Sequence, residues 1–116
     1  MEFIPQEIDG DIMVLAIDGG LDGSTSRTFT SDVLAIVDGG VTRLIIDCSG
    51  LTALTSIGVG AIIRLHARAA AHGGDVKLCA VPGIALQILH VMKLDRVLGI
   101  YPDVDQARLA FLSSAD

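Results

Sequence analysis

The order of secondary structure is decided by residues 47–61, which read DCSGLTALTSIGVGA. The run Leu44-Ile45-Ile46 directly before this stretch predicts a strand over residues 41–48, because a strand buried on both faces is apolar at successive positions. Thr55-Ser56 then opens an apolar run that predicts a helix ending near residue 72. A buried strand followed by a helix is the repeating unit of α/β folds, in which crossover helices keep neighbouring strands parallel.

The same alternation continues in both directions. Toward the N-terminus, Asp9-Gly10 separates two apolar runs, and this pair is typical of a two-residue hairpin turn. Residues 18–24 are predicted as a loop and residues 49–54 as a connection. The other elements are predicted as a helix at 25–37, a strand at 76–81, a helix at 84–92, a strand at 98–101 and a helix at 104–112. We predict a single α/β domain over residues 1–116, with a mixed β-sheet of about four to five strands and about four helices.

Composition limits the functions that this chain can have. It has 116 residues, of which 51% are hydrophobic and only 3% are aromatic, so its core must be aliphatic. Its net charge is −6, and it has no basic patch with interleaved aromatic residues, which excludes a typical nucleic-acid binder. No signal peptide is expected, and no apolar stretch approaches the ~18 residues of a membrane span. The two cysteines, Cys48 and Cys79, lie in strand-like runs and are predicted to be buried free thiols. A soluble cytoplasmic protein is expected.

The glycine-rich and histidine motifs do not predict a cofactor or a metal site. Residues 19–25 are glycine-rich but lack the lysine that a phosphate-binding Walker loop needs. The Gly58-Val59-Gly60 motif has Ile63 where a dinucleotide fingerprint requires a third glycine. His66 and His72 lie six residues apart, about 240° around a helix, and cannot face one ion together.

Asp47 closes a buried strand, as the phosphate-accepting aspartate of a receiver domain does. A receiver domain also needs an acidic pair after its first strand and a lysine after its last strand. The only lysines, Lys77 and Lys93, are not placed that way. An aspartate that anchors the following turn is therefore the favoured interpretation.

The hydroxyl pair at the start of the second helix has two interpretations. One hydroxyl can cap the free N–H groups of the first turn. A serine at a helix start is also a favourable phosphate site, because the free amides and the helix dipole stabilise a dianion. The residues alone leave both roles open.

Several motifs, in their order and spacing, resemble the STAS domain family, the domain of anti-sigma factor antagonists. The resemblance rests on Asp-x-Ser-Gly at residues 47–50, a few apolar residues, and then Ser56 before Gly58-Val59-Gly60. It extends through residues 73–78, the Pro82 loop and residues 94–101, and more weakly to residues 20–22. It therefore covers almost the whole chain.

The resemblance implies a STAS-like fold and a bacterial transcription regulator that is not an enzyme and needs no cofactor. In such a protein an anti-sigma factor serine kinase phosphorylates a serine at the start of the second helix, and a PP2C-type phosphatase restores the unphosphorylated form. The unphosphorylated form binds the kinase and frees the sigma factor. The matching position is Ser56. The family often has Asp before this serine and Ser after it, whereas Thr55 and Ile57 stand here, so Thr55 is a second candidate. The predicted partner-binding residues are Asp22, Thr25, Thr55, Ser56, Ile57, Gly58 and Val59.

The second helix is apolar on more than one side. Helical spacing assigns one stripe to the sheet, formed by Ile57, Ala61, Ile62, Leu65 and Ala69. The far side carries Val59, Ile63, Ala67 and Ala70. We predict that Ile63 is buried under a neighbouring helix, because a chain this short has few apolar side chains to leave in water. The alternative is an apolar contact patch for a partner beside Ser56.

Two rival functions remain. A STAS subunit could regulate or assemble a larger complex, such as a lipid-transport or stress-signalling assembly, without being phosphorylated. An enzyme or small-molecule binder would need convergent polar groups, for which only the neighbourhood of Asp22, Thr25 and Ser56 is a candidate.

Overall fold

The computed structural model describes residues 2–113, and the side chains of residues 10–112. Its strands are β1 (Glu2–Asp9), β2 (Ile12–Leu21), β3 (Arg43–Leu54), β4 (Asp75–Cys79) and β5 (Gly99–Tyr101). Its helices are α1 (Ser26–Asp38), α2 (Ser56–Ala71), α3 (Gly83–Val91) and α4 (Val104–Ser113), with a 3₁₀ turn at Leu94–Arg96. The predicted α/β class, strand count and helix count are confirmed. No helix within residues 2–113 is long and apolar enough to cross a membrane.

The strands form one mixed sheet whose spatial order, β1-β2-β3-β4-β5, follows the chain. β1 and β2 pair antiparallel through the predicted hairpin, and Gly10 in the turn has the positive φ of 63° that favours glycine. All later pairs are parallel. Because β2 and β3 are parallel, their C-terminal ends lie at the same edge of the sheet.

Two segments that were predicted as a loop and a connection form the ends of strands in the structure. β2 continues to Leu21 and β3 to Leu54, where residues 18–21 pair with residues 50–54 through two irregularities in the register. Glycines suggested turns here, but Gly50 allows the two strands to approach each other. A β-carbon on Gly50 would lie 2.5 Å from the carbonyl oxygen of Ile17. The extension carries the start of α2 directly to the end of β2.

The two faces of the sheet are covered by different helices. On one face, β2 and β3 side chains such as Leu15 and Ile46 pack against Phe29 of α1, Leu65 of α2 and Leu89 of α3. On the other face, α4 covers a smaller cluster of Ile12, Val14, Ile45, Cys79, Ala107 and Phe111. This arrangement leaves the C-terminal ends of β2 and β3, and the start of α2, at the rim of the sheet.

The buried face of α2 is rotated relative to the prediction. Ala61, Ile62, Leu65 and Ala69 are buried as expected. However, Val59 is also fully buried, and Ile57 is 59% exposed. Gly58 lies in the middle of the buried face, where it provides no apolar side chain to reveal the helix orientation. Ile63 is 38% exposed, so its predicted burial under a neighbouring helix is wrong.

Both cysteines are buried free thiols, as predicted. Burial raises the pKa of Cys48 and of Cys79 from 9.0 to about 12.

Because the thiolate is the reactive form, we expect both cysteines to react with a thiol reagent much more slowly in the folded protein than in urea at pH 8. The thiols ionise in the unfolded chain before they do in the folded one, so the free energy of unfolding falls as the pH rises from 9 toward 12. Timed alkylation read by mass spectrometry, and denaturation at several pH values, check this. Rapid native-state labelling of either cysteine would contradict it.

Candidate functional site

The start of α2 is capped by Thr55 and not by Ser56. Thr55 has extended backbone angles, and its Oγ1 accepts a hydrogen bond from the N–H of Gly58 at 3.4 Å. The N–H of Thr55 in turn donates to the carbonyl oxygen of Leu21, at the end of β2, at 3.2 Å. Thr55 therefore performs the capping role and also holds the start of the helix against the sheet.

Ser56 is the first residue of α2, and its side chain is exposed. Its hydroxyl makes no hydrogen bond to any of the residues that the structure describes. The capping interpretation thus applies to Thr55, and the hydroxyl of Ser56 faces solvent at the positive end of the helix dipole. A phosphate group at this position would be stabilised by the dipole and would break no contact seen here.

Two of the predicted partner-binding residues are buried. Val59 is fully buried, so its assignment to a partner-facing side of α2 is wrong. Gly58 is also buried, and it lies so close to β2 that a β-carbon there would overlap the backbone carbonyl of Leu21. Both residues serve the packing of α2 on β2, and they contribute to the site only by placing Ser56 and Ile57.

Asp22 and Thr25 form a closed hydrogen-bond network in the loop before α1. The Asp22 carboxylate accepts from the N–H and Oγ of Ser24 at 2.8 and 2.7 Å. Thr25 Oγ1 donates to the carbonyl oxygen of Gly20 at 2.8 Å and accepts from the N–H of Asp22 at 3.0 Å. The hydrogen bonds from Ser24 hold the pKa of Asp22 below its ordinary value. These contacts fix the loop and keep a negative charge on its surface.

The loop and the start of α2 lie side by side. A β-carbon on Gly23 would be 3.3 Å from Cδ1 of Ile57, which is itself largely exposed. The structure therefore brings Asp22, Thr25, Thr55, Ser56 and Ile57 to one rim of the sheet. Their role in binding a partner stays a prediction.

An exposed apolar face lies next to this rim and was not predicted from the sequence. On α3, Ile84 is 80% exposed and Val91 is 71% exposed, whereas Ala85 and Leu89 face the core. A groove runs between Ile84 and the end of β3 at Leu54, immediately before Thr55. The signal in the sequence was an excess of apolar residues in α3, more than one buried face requires. Exposed apolar surface of this kind often marks a binding surface.

Solved structures share this fold at low sequence identity. A candidate anti-sigma factor antagonist from Thermotoga maritima has a TM-score of 0.87 and 20% identity, covering 91% of this chain and 92% of that one. The Bacillus cell fate determinant SpoIIAA, in its phosphorylated form, has a TM-score of 0.72 and 18% identity, covering 91% and 96%.

The fold also occurs inside a much larger protein. The murine Solute Carrier 26 family member A9 anion transporter has a TM-score of 0.79 and 20% identity, covering 94% of this chain but only 19% of the transporter. Similarity at this level establishes the fold and leaves the activity open. The STAS domain model matches residues 4–107, which confirms the resemblance seen in the motifs. The chain therefore belongs to the STAS domain family.

Proposed function

We propose that this protein is an anti-sigma factor antagonist whose binding to an anti-sigma factor serine kinase is switched by phosphorylation of Ser56. The observation that carries the proposal is the exposed, unbonded hydroxyl of Ser56 at the first position of α2, next to a cap that Thr55 already supplies. In the unphosphorylated state the protein binds the kinase and frees a sigma factor. A PP2C-type phosphatase restores that state. We place the protein in the cytoplasm, and in this proposal it acts by binding and is not an enzyme.

The switch is electrostatic. A phosphate adds about −1.5 to −2 charges at pH 7, next in sequence to the exposed Ile57 and at the rim of the sheet that also carries Asp22. A partner that covers Ile57 would have to desolvate that dianion, which weakens binding. The fold is expected to change little, because the helix N-terminus stabilises the anion.

The first test locates the phosphate. We expect incubation with the cognate kinase and ATP to place one phosphate on Ser56, and Ser56→Ala to abolish its incorporation. Thr55→Asn is the matched variant, because asparagine still caps the helix but cannot accept phosphate. It should be phosphorylated like the wild type. Tandem mass spectrometry reads the position. Phosphate found on Thr55, or persisting in Ser56→Ala, rejects the proposed acceptor.

The second test measures the effect of charge on binding. We expect Ser56→Asp to weaken binding to the kinase about tenfold, a loss of roughly 1.4 kcal/mol. Ser56→Asn has nearly the same shape without the charge and should bind close to wild type. Both variants should melt within a few degrees of wild type. Calorimetric titration and thermal melting measure these quantities. Equal binding by the Asp and Asn variants would contradict an electrostatic switch.

A second candidate function is a STAS subunit that regulates or assembles a larger complex without phosphorylation. It is favoured by Thr55, which stands where the family often has aspartate, and by the occurrence of the fold within an anion transporter. Gene neighbourhood separates the two candidates. An adjacent anti-sigma factor kinase supports the switch, and an adjacent transporter operon supports the subunit.

A further inference from the structure

An open groove lies between α1 and α2, on the side of the helix pair away from the sheet. Its volume is about 670 Å³, within the range of small-molecule sites. Arg27 of α1 and Arg64 of α2 line it, and no acidic residue does. The groove begins beside Ile57 but does not include the hydroxyl of Ser56.

The two arginines of this groove belong to a chain with 14 acidic residues and only 8 basic ones. Arg43, Arg68 and Arg108 each pair with a carboxylate. Within the part of the chain that the structure describes, neither Arg27 nor Arg64 has an ion-pair partner. Two uncompensated positive charges thus face one groove on an acidic protein, and they would attract an anion.

Buried hydroxyl groups line the same groove. Ser26 is 7% exposed and Thr30 is 6% exposed, and both residues line it. Among the described residues, neither side-chain oxygen has a hydrogen-bond partner. Neither oxygen is fully enclosed, so both hydroxyls keep contact with the solvent in the groove. These hydroxyls are therefore available to donate hydrogen bonds to a ligand that enters the groove.

We propose that the α1–α2 groove binds a small phosphate monoester. Two guanidinium groups match the charge of about −1.5 to −2 that a phosphate monoester carries at pH 7. Each guanidinium can donate paired hydrogen bonds to phosphate oxygens, and the hydroxyls of Ser26 and Thr30 supply further donors. The groove is larger than a phosphate group, and Leu34 and Ile57 add an apolar wall for the organic part of the ester.

The test uses the full chain, with inorganic phosphate and phenyl phosphate as probes, in ¹H–¹⁵N NMR titrations at matched ionic strength against chloride. We expect saturable shifts in residues 26–31 and 60–64. Phenyl phosphate should bind several-fold more tightly than inorganic phosphate, because its ring covers the apolar wall. Shifts that do not saturate, or that chloride reproduces, would overturn the proposal. Equal affinity for the two probes would overturn the role of the apolar wall.

Matched variants separate a built site from general charge attraction. Arg27→Gln and Arg64→Gln should each weaken phosphate binding on the order of tenfold, since each removes a charged hydrogen-bond donor. Thr30→Val removes one hydroxyl from the site and should also weaken it. Arg96→Gln makes the same change of charge in the distant 3₁₀ turn and should have no effect. Equal losses in Arg27→Gln and Arg96→Gln would overturn the site. Ser56→Ala should bind phosphate like wild type, so the result does not depend on the proposed switch.

Discussion

We expect Leu65→Ala to lower the free energy of unfolding by about 2–5 kcal/mol, the largest stability loss predicted for this chain. Leu65 is fully buried where α2 meets the sheet, in the same cluster as Leu15 and Ile46. Alanine would remove apolar contact and leave a cavity that the surrounding helices can close only in part. Urea denaturation followed by circular dichroism measures the loss.

Ile63→Asp is the matched comparison on the same helix. Ile63 is 38% exposed, so a charge at this position stays in contact with water. Its cost should remain near the surface range of roughly 0.5 kcal/mol. A loss of several kcal/mol would mean that Ile63 is buried in solution, as the sequence analysis predicted and the structure does not support. A small loss at Leu65 would contradict the packing of α2 on the sheet.

The second large effect concerns the close contact between α2 and β2. We expect Gly58→Ala to destabilise the protein by about 1–3 kcal/mol, although alanine is the better helix former. A β-carbon at this position would overlap the carbonyl of Leu21, which also accepts the hydrogen bond from Thr55. The overlap can be relieved only by moving the start of α2, which carries Ser56. Thermal and urea denaturation should therefore show a loss.

Gly60→Ala provides the control two residues further along. A β-carbon on Gly60 would meet no other atom within 4 Å. Only the gain in helix propensity remains, so the variant should be up to about 1 kcal/mol more stable than wild type. If the two variants behave alike, the close contact at Gly58 does not determine how α2 packs. In that case the placement of Ser56 would have another cause.

Much of the fold could be predicted because its signals are local. The hairpin at Asp9-Gly10 needed only turn chemistry, and the buried strand around Ile45 needed only a run of branched apolar residues. The site was predicted by combining a helix start with a family resemblance. In the structure, Asp22 and Ser56 lie at the same rim of the sheet.

The errors occurred where packing overrides local pattern. Gly50 looked like a turn residue, but its missing side chain serves a close approach between strands. Gly58 gave no hydrophobic signal, although it lies in the middle of the buried face of α2, and the orientation of Ile57 and Val59 was wrong as a result. The division of roles between Thr55 and Ser56 depends on backbone angles at the first turn, which composition does not specify.

The order of the strands in the sheet, which follows the order of the chain, has a consequence for synthesis. Each new strand pairs with the strand made just before it, so no strand has to wait for a distant partner. The sheet can therefore grow outward from the β1–β2 hairpin while the C-terminal part is still being translated. No strand pairing has to close a loop longer than one helical crossover, which limits the entropy cost of each step. The last strand, β5, completes the sheet when only α4 remains to cover its second face.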